Sequence, residues 1–236
     1  NEALIGTYNN IKHHKEELYI TIIELVKMYS SCNKEGSVNR KPVNISEAQT
    51  SKESYYYWIR KLYNEEQDKT TVKSSAYFIF LNKTGFRGMY REGPNGYNIP
   101  YGHYKKPTVI HKKELDFISE LIQPVNFHCC DFSEGFKNIT GERNFIYLDP
   151  PYAPENDTSF VGYTKDGFDI EQHKKLFELT KHVSINNMIM MSNANVPLLK
   201  QHLSEEEYNY EVVLCKRSIN SKDPSAKTEE VMITNY

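Results

Sequence analysis

Long apolar stretches are missing from these 236 residues: runs such as Phe145-Ile146-Tyr147-Leu148 and Met188-Ile189-Met190-Met191 fall far short of the roughly 20 residues of a membrane-spanning helix. Cysteine is scarce. The four cysteines, at 32, 129, 130 and 215, give neither a disulfide framework nor paired C-x-x-C zinc spacing. No charged-then-apolar leader opens the chain. These absences predict a soluble protein in a reducing, cytoplasmic or nucleoid-associated setting, with neither a membrane nor a metal partner. Tryptophan occurs once, and the eleven glycines include no G-x-G.

What is present is enough to fold. With 39% hydrophobic, 25% charged and 13% aromatic residues, the chain can bury a core in one domain plus an insertion, which excludes disorder. Asn1 to Ile5 enter helical periodicity at once without an initiator Met, with Leu4, Ile5, Tyr8 and Ile11 predicted on one face. The reading therefore expects a segment ahead of residue 1.

Charge is uneven. Residues 83–113 hold seven bases against one acid, leaving −8 for the rest of a chain whose formal charge is −2. Phe86, Tyr90, Tyr97, Tyr101 and Tyr104 lie in that window. Cations for phosphates thus alternate with rings that stack on bases. A tyrosine-rich hairpin with a solvated basic face fits the same composition.

Helical spacing covers Leu18 to Tyr29, then about Tyr55 to Leu62 and Ser74 to Leu81, and the polar stretch Cys32 to Lys52 reads as a flexible loop. Gly93-Pro94-Asn95-Gly96 separates two short aromatic segments, which predicts a β-hairpin. A helix follows over Lys112 to Leu121, then a strand Val125 to Cys129 ending at Asp131. Buried strands are expected at Asn144 to Leu148 and Met188 to Met191, joined by a helix Ile170 to Val183. That order predicts a parallel α/β pair. Glu211 to Cys215 and Val231 to Thr234 should close as an antiparallel hairpin. Asp131, Asp149 and Ser192-Asn193 all fall at strand ends, where an α/β sheet holds its ligand and where turn formers also gather.

Asp149-Pro150-Pro151-Tyr152 follows an apolar strand directly. Two successive prolines fix two φ angles and remove two donors, leaving carbonyls as outward acceptors. Asp149 adds a carboxylate and Tyr152 a flat ring with a polar tip. This set suits a planar amine gripped by acceptors and stacked on a ring, such as the exocyclic amine of adenine. Within a duplex that amine is reached only by flipping the base out.

With these residues in place, the sequence resembles the DNA adenine-N6 methyltransferases of the Dam/DpnII class. The likeness spans residues 1–12, 81–107 (LNKTGFRGMYREGPNGYNIPYGHYKKP), Asp131-Phe132, DPPYAP at 149–154, 158–168, 191–193, KRSIN at 216–220 and EEVMITNY at 229–236. It implies a Rossmann-like S-adenosylmethionine-dependent sheet over 1–54 and 114–236, with a helical and β-hairpin target-recognition insertion at 55–113. It implies that Asp149 and the Pro150 carbonyl hold the target amine in a catalytic Asp149-Pro150-Pro151-Tyr152 corner, with Tyr152 stacking on the flipped adenine. Asp131, Phe132, Asp149 and Pro150 would line the S-adenosylmethionine site. Duplex DNA would be met by Arg87, Met89, Tyr90, Arg91, Asn98, Tyr101, His103, Lys105, Lys106, Tyr163 and Arg217; His103 stands where similar enzymes carry a base. A GATC-like target and a restriction-modification role accompany the resemblance.

The glycine-rich donor loop of that class has no counterpart among these residues. Three readings stay open at this level. In the first, an amino-terminal segment or separate polypeptide completes the cofactor pocket. In the second, the chain is a DNA-binding subunit without catalysis. In the third, the amine acceptor is RNA.

Overall fold

The computed structural model describes residues 1–33, 36–153, 168–216 and 227–236. Two compact units emerge, residues 1–129 and residues 130–236.

The first unit is helical. Helix α1 (Glu2–His13) is capped by Asn1, whose side chain accepts from the Leu4 amide. Its buried face is Ala3, Gly6, Thr7 and Asn10, and Leu4 and Tyr8 are exposed, the reverse of the expected apolar stripe. Close approach is the reason. A Cβ on Gly6 would come within 2.6 Å of the Thr70 Cα, so only a small residue fits. Asn10 meanwhile donates to the Thr70 carbonyl at 2.7 Å and to Ser75 Oγ at 2.9 Å. Helix α2 (Lys15–Ser31) buries Leu18, Ile22 and Tyr29 as its spacing predicts.

The stretch expected as a flexible loop is tied down. It contains a short helix α3 (Ile45–Ala48), and Glu47 accepts from Asn39 Nδ2 and the Val43 amide. Arg40 pairs with the buried Glu53 at 2.8 Å. Polar composition signalled a loop, but these polar groups satisfy one another.

Helices α4 (Lys52–Glu65) and α5 (Val72–Thr84) are capped by Ser51 and Thr71. They enclose a tyrosine core in which Tyr29 and Tyr101 share a hydrogen bond of 2.5 Å and Tyr56 donates to the Ile99 carbonyl, while the buried Tyr63 hydroxyl has no partner among the described residues. Half-buried Trp58 packs on this core under Lys61. A 3-10 turn Phe86–Gly88 precedes strands β1 (Glu92–Gly93) and β2 (Gly96–Tyr97), which pair Glu92 with Tyr97 and Gly93 with Gly96. The predicted hairpin is therefore present. Helix α6 (Lys112–Leu121) matches its predicted bounds.

Val125 to Cys129 is not a strand. No described strand lies beside it; instead Lys12 donates to the Val125 carbonyl at 2.7 Å and Phe127 stacks on Tyr8 with ring centres 5.0 Å apart. Alternation alone does not make a strand without a pairing edge.

The second unit is α/β with a mixed sheet. After helix α7 (Phe132–Lys137) come β3 (Phe145–Leu148), α8 (Ile170–Ser184), β4 (Met188–Ala194), α9 (Pro197–His202), β5 (Asn209–Lys216) and β6 (Lys227–Thr234). The strand order is β3-β4-β6-β5, with β3 parallel to β4 and the other pairs antiparallel. Leu176, Phe177, Met191, Leu199, Val231 and Ile233 form its core. β3 is not the buried strand its composition predicts: Phe145 and Tyr147 are 55% and 53% exposed. Among the described residues it is an edge strand, and alternate residues of a strand face opposite sides. No described helix is long and apolar enough to cross a membrane, and no described group of three or more His, Cys, Asp or Glu is placed to hold a metal.

Candidate functional site

Asp149 leaves the end of β3 and is exposed. Its Oδ1 accepts from Ser192 Oγ at 2.9 Å, and Ser192 Oγ lies 3.1 Å from the Tyr147 hydroxyl. Oδ2 accepts no hydrogen bond among the described residues, and neither does the Pro150 carbonyl. Among the described residues, Asp149 and Pro150 thus each keep an acceptor without a partner.

The remainder of the corner is anchored. The Pro151 carbonyl lies 2.9 Å from His173 Nε2, and the Ala153 amide donates to Asn193 Oδ1 at 2.8 Å. Tyr152 donates its hydroxyl to Glu230 Oε2 at 3.1 Å. Burial pushes the Tyr152 phenol up, and the Glu230 carboxylate beside it acts in the same direction. Since β4 runs on to Ala194, Ser192 and Asn193 are strand residues rather than residues beyond the strand end. Their side chains face opposite sides, so Ser192 meets Asp149 while buried Asn193 meets the chain after Tyr152.

Asp131 caps α7, accepting from the Ser133 amide at 3.0 Å and from the Ser133 hydroxyl. The hydroxyl contact first, then the amide, holds the Asp131 carboxyl below its ordinary range. Phe132 follows, its ring 5.6 Å from that of Phe168. Among the described residues one Asp131 oxygen is engaged and the other is not, beside an aromatic ring, an acceptor set that fits an adenine ring bearing an amine.

Nine of the eleven residues expected to meet DNA belong to the other unit. Arg87 has a left-handed backbone (φ 56°) with its guanidinium 5.3 Å from the Phe86 ring centre. Met89 is half-buried, and its carbonyl accepts from the Tyr97 hydroxyl. Tyr90 is exposed and donates to Glu92. Exposed Arg91 donates through Nε to Asn98 Oδ1 at 2.7 Å. Tyr101 is buried with its hydroxyl on Tyr29. His103 is exposed with φ 54°, its Nε2 3.8 Å from Glu53 Oε2, and Lys105 and Lys106 are exposed. Tyr163 and Arg217 lie outside the described residues.

Sequence reasoning missed His173, Glu230 and Asn64. Asn64 grips β2 on both backbone groups of Tyr97, donating to its carbonyl at 3.0 Å and accepting from its amide at 2.9 Å. No local signal marks such partners, which lie 22 residues or more along the chain from the groups they hold.

Comparison with known proteins agrees with this geometry. Residues 1–219 match the family described as D12 class N6 adenine-specific DNA methyltransferase. Over its whole length the chain is 32% identical to the type II methyltransferase M.MjaIII of Methanocaldococcus jannaschii and covers 78% of that protein. It is 29% identical to the type II methyltransferase M1.LlaDCHI of Lactococcus lactis subsp. cremoris, covering 77% of it. It is also 26% identical to the DNA adenine methylase of Escherichia coli K12, again covering 77%. A corner of open acceptors following a sheet strand, and a match running from residue 1 to residue 219, place this chain in the family of D12 class N6 adenine-specific DNA methyltransferases.

Proposed function

We propose that the chain methylates the exocyclic amine of an adenine flipped out of duplex DNA, with Asp149-Pro150-Pro151-Tyr152 as the reacting corner. The observation that carries this is the pair of open acceptors on adjacent residues, Asp149 Oδ2 and the Pro150 carbonyl. The adenine amine is a weak nucleophile because its lone pair is delocalised into the ring. Acceptors that take its two hydrogens favour the form in which the lone pair is localised. Tyr152 offers a ring for the extruded base to stack on, held by Glu230. S-adenosylmethionine, when bound, supplies the methyl group. Asp131 and Phe132 would hold its adenine end.

The same reading assigns residues 1–54 and 114–236 to a catalytic domain with a Rossmann-like sheet, and residues 55–113 to target recognition of a GATC-like site. Arg87, Met89, Tyr90, Arg91, Asn98, Tyr101, His103, Lys105, Lys106, Tyr163 and Arg217 are its DNA-binding set. A glycine-bearing segment outside these 236 residues would complete the donor pocket, since no G-x-G occurs among them.

The test is transfer of labelled methyl from S-adenosylmethionine to duplex DNA by the protein, alone and with an added amino-terminal polypeptide carrying the glycine loop. Asp149→Ala is the control, and RNA is the competing acceptor. A loss of at least about 100-fold in Asp149→Ala is expected. Incorporation indifferent to that substitution would refute the assignment.

A further inference from the structure

His173 is fully buried on α8, and its role in the reaction above is so far undefined. Its ring joins two chain positions. Nε2 lies 2.9 Å from the Pro151 carbonyl and Nδ1 lies 2.9 Å from the carbonyl of Asp169, the cap of α8. The rings of Phe168 and Phe177 flank it at 4.7 and 6.1 Å. Both ring nitrogens face carbonyls, which only accept, and a neutral imidazole donates from one nitrogen; the Asp169 carbonyl already accepts from the His173 amide at 3.1 Å, so we place the proton on Nε2, facing Pro151.

The position of that bond matters more than its strength. The Pro151 carbonyl belongs to the peptide plane before Tyr152, and the Ala153 amide, held by Asn193, belongs to the plane after it. Both planes flanking Tyr152 are therefore fixed from the interior. Upstream, proline rings lock φ at 150 and 151, and a residue preceding proline is confined to extended ψ. With the plane after Pro151 pinned, few rotations remain that re-aim the Pro150 carbonyl. Resting on the reading above, we infer that His173 is a positioning residue for methyl transfer. Its Nε2–H holds Pro151 so that the Pro150 carbonyl and the Tyr152 ring meet the acceptor base in one arrangement.

Three substitutions separate positioning from packing. His173→Phe keeps a ring but has no donor. His173→Asn offers an amide too short to reach Pro151. His173→Gln places an amide N–H near the position of Nε2. In the active protein, Phe and Asn should lower kcat by about 10- to 100-fold, the scale of an ångström misplacement. KM for DNA and for S-adenosylmethionine should stay within about twofold, because both ligands are bound chiefly elsewhere. Gln should recover most of the lost kcat. Folded Phe and Asn variants with parental kcat, or a Gln variant no better than Phe, overturn the inference.

A second measurement is independent of turnover. In the uniformly 15N-labelled chain the Nε2 proton of His173 should be visible and slow to exchange with solvent; a rapidly exchanging or absent proton also overturns the clamp. Activity missing from the parent protein, or unaffected by Asp149→Ala, defeats the reading of the site. In that case the imidazole resonance alone decides whether the clamp exists.

Discussion

Ser192 donates its hydroxyl to Asp149 Oδ1 across 2.9 Å, from the strand next to the one that ends just before the aspartate. One carboxylate oxygen is thereby held, and the other takes no hydrogen bond among the described residues. Ser192→Ala removes the hold without touching the open oxygen. The expected result is a fall in kcat of about tenfold, equivalent to ~1.4 kcal/mol, well short of the Asp149→Ala loss. Single-turnover methyl incorporation at saturating DNA checks it.

The β1–β2 hairpin depends on a residue outside it. Asn64→Ala strips the partner from both the amide and the carbonyl of Tyr97, and Gly96→Ala forces a side chain onto φ 85° with its Cβ 2.7 Å from Asn64 Oδ1. Each should destabilise the helical unit by about 1–3 kcal/mol, read from urea midpoints. Each should also weaken binding of duplex DNA.

Tyrosine burial sets an alkaline limit. Burial pushes Tyr63 up to about 12, and pushes Tyr29, Tyr55 and Tyr56 up in the same direction. A raised folded value favours the native state below the unfolded phenol's pKa of about 10 and loses that favour as pH rises further. The part of the phenolate absorbance that comes from the buried tyrosines should therefore develop together with loss of helical circular dichroism above about pH 10. Full phenolate formation in a still-helical chain would contradict this.

Asp131 behaves in the opposite sense. Its carboxyl is held low by Ser133, so its contribution is present above the unfolded carboxylate value of about 4 and declines as pH falls through the lower folded value. Asp131→Ala removes the α7 cap and should cost ~1 kcal/mol at neutral pH. Melting curves of parent and variant should draw together toward acid. If the proposed donor contact is right, calorimetry will also show weaker S-adenosylmethionine binding by the variant.

Much of this molecule can be read from the chain alone. The bounds of α6 follow from its amphipathic spacing, and the β1–β2 turn from Gly93-Pro94-Asn95-Gly96. The Asp149-Pro150-Pro151-Tyr152 corner announces its acceptors through the two prolines. What escaped is what depends on distant partners. α1 hides Gly6 and Asn10 rather than Leu4 because Thr70 approaches it closely. Val125 to Cys129 alternates like a strand yet has no described edge to pair with. His173 sits at a helical spacing that reads as ordinary core, and its meaning comes only from the Pro151 carbonyl opposite it. Local pattern encodes periodicity and turn chemistry, whereas tertiary proximity decides which polar group is anchored.

Trp58 lies on the helical core of residues 1–129 and has no counterpart elsewhere in the sequence. Its emission is thus a built-in optical reporter for that half alone, and the sheet-bearing half is silent under red-edge excitation. Following denaturation by emission and by the circular dichroism of the strands in parallel will show directly whether the two halves melt as one cooperative body or in succession.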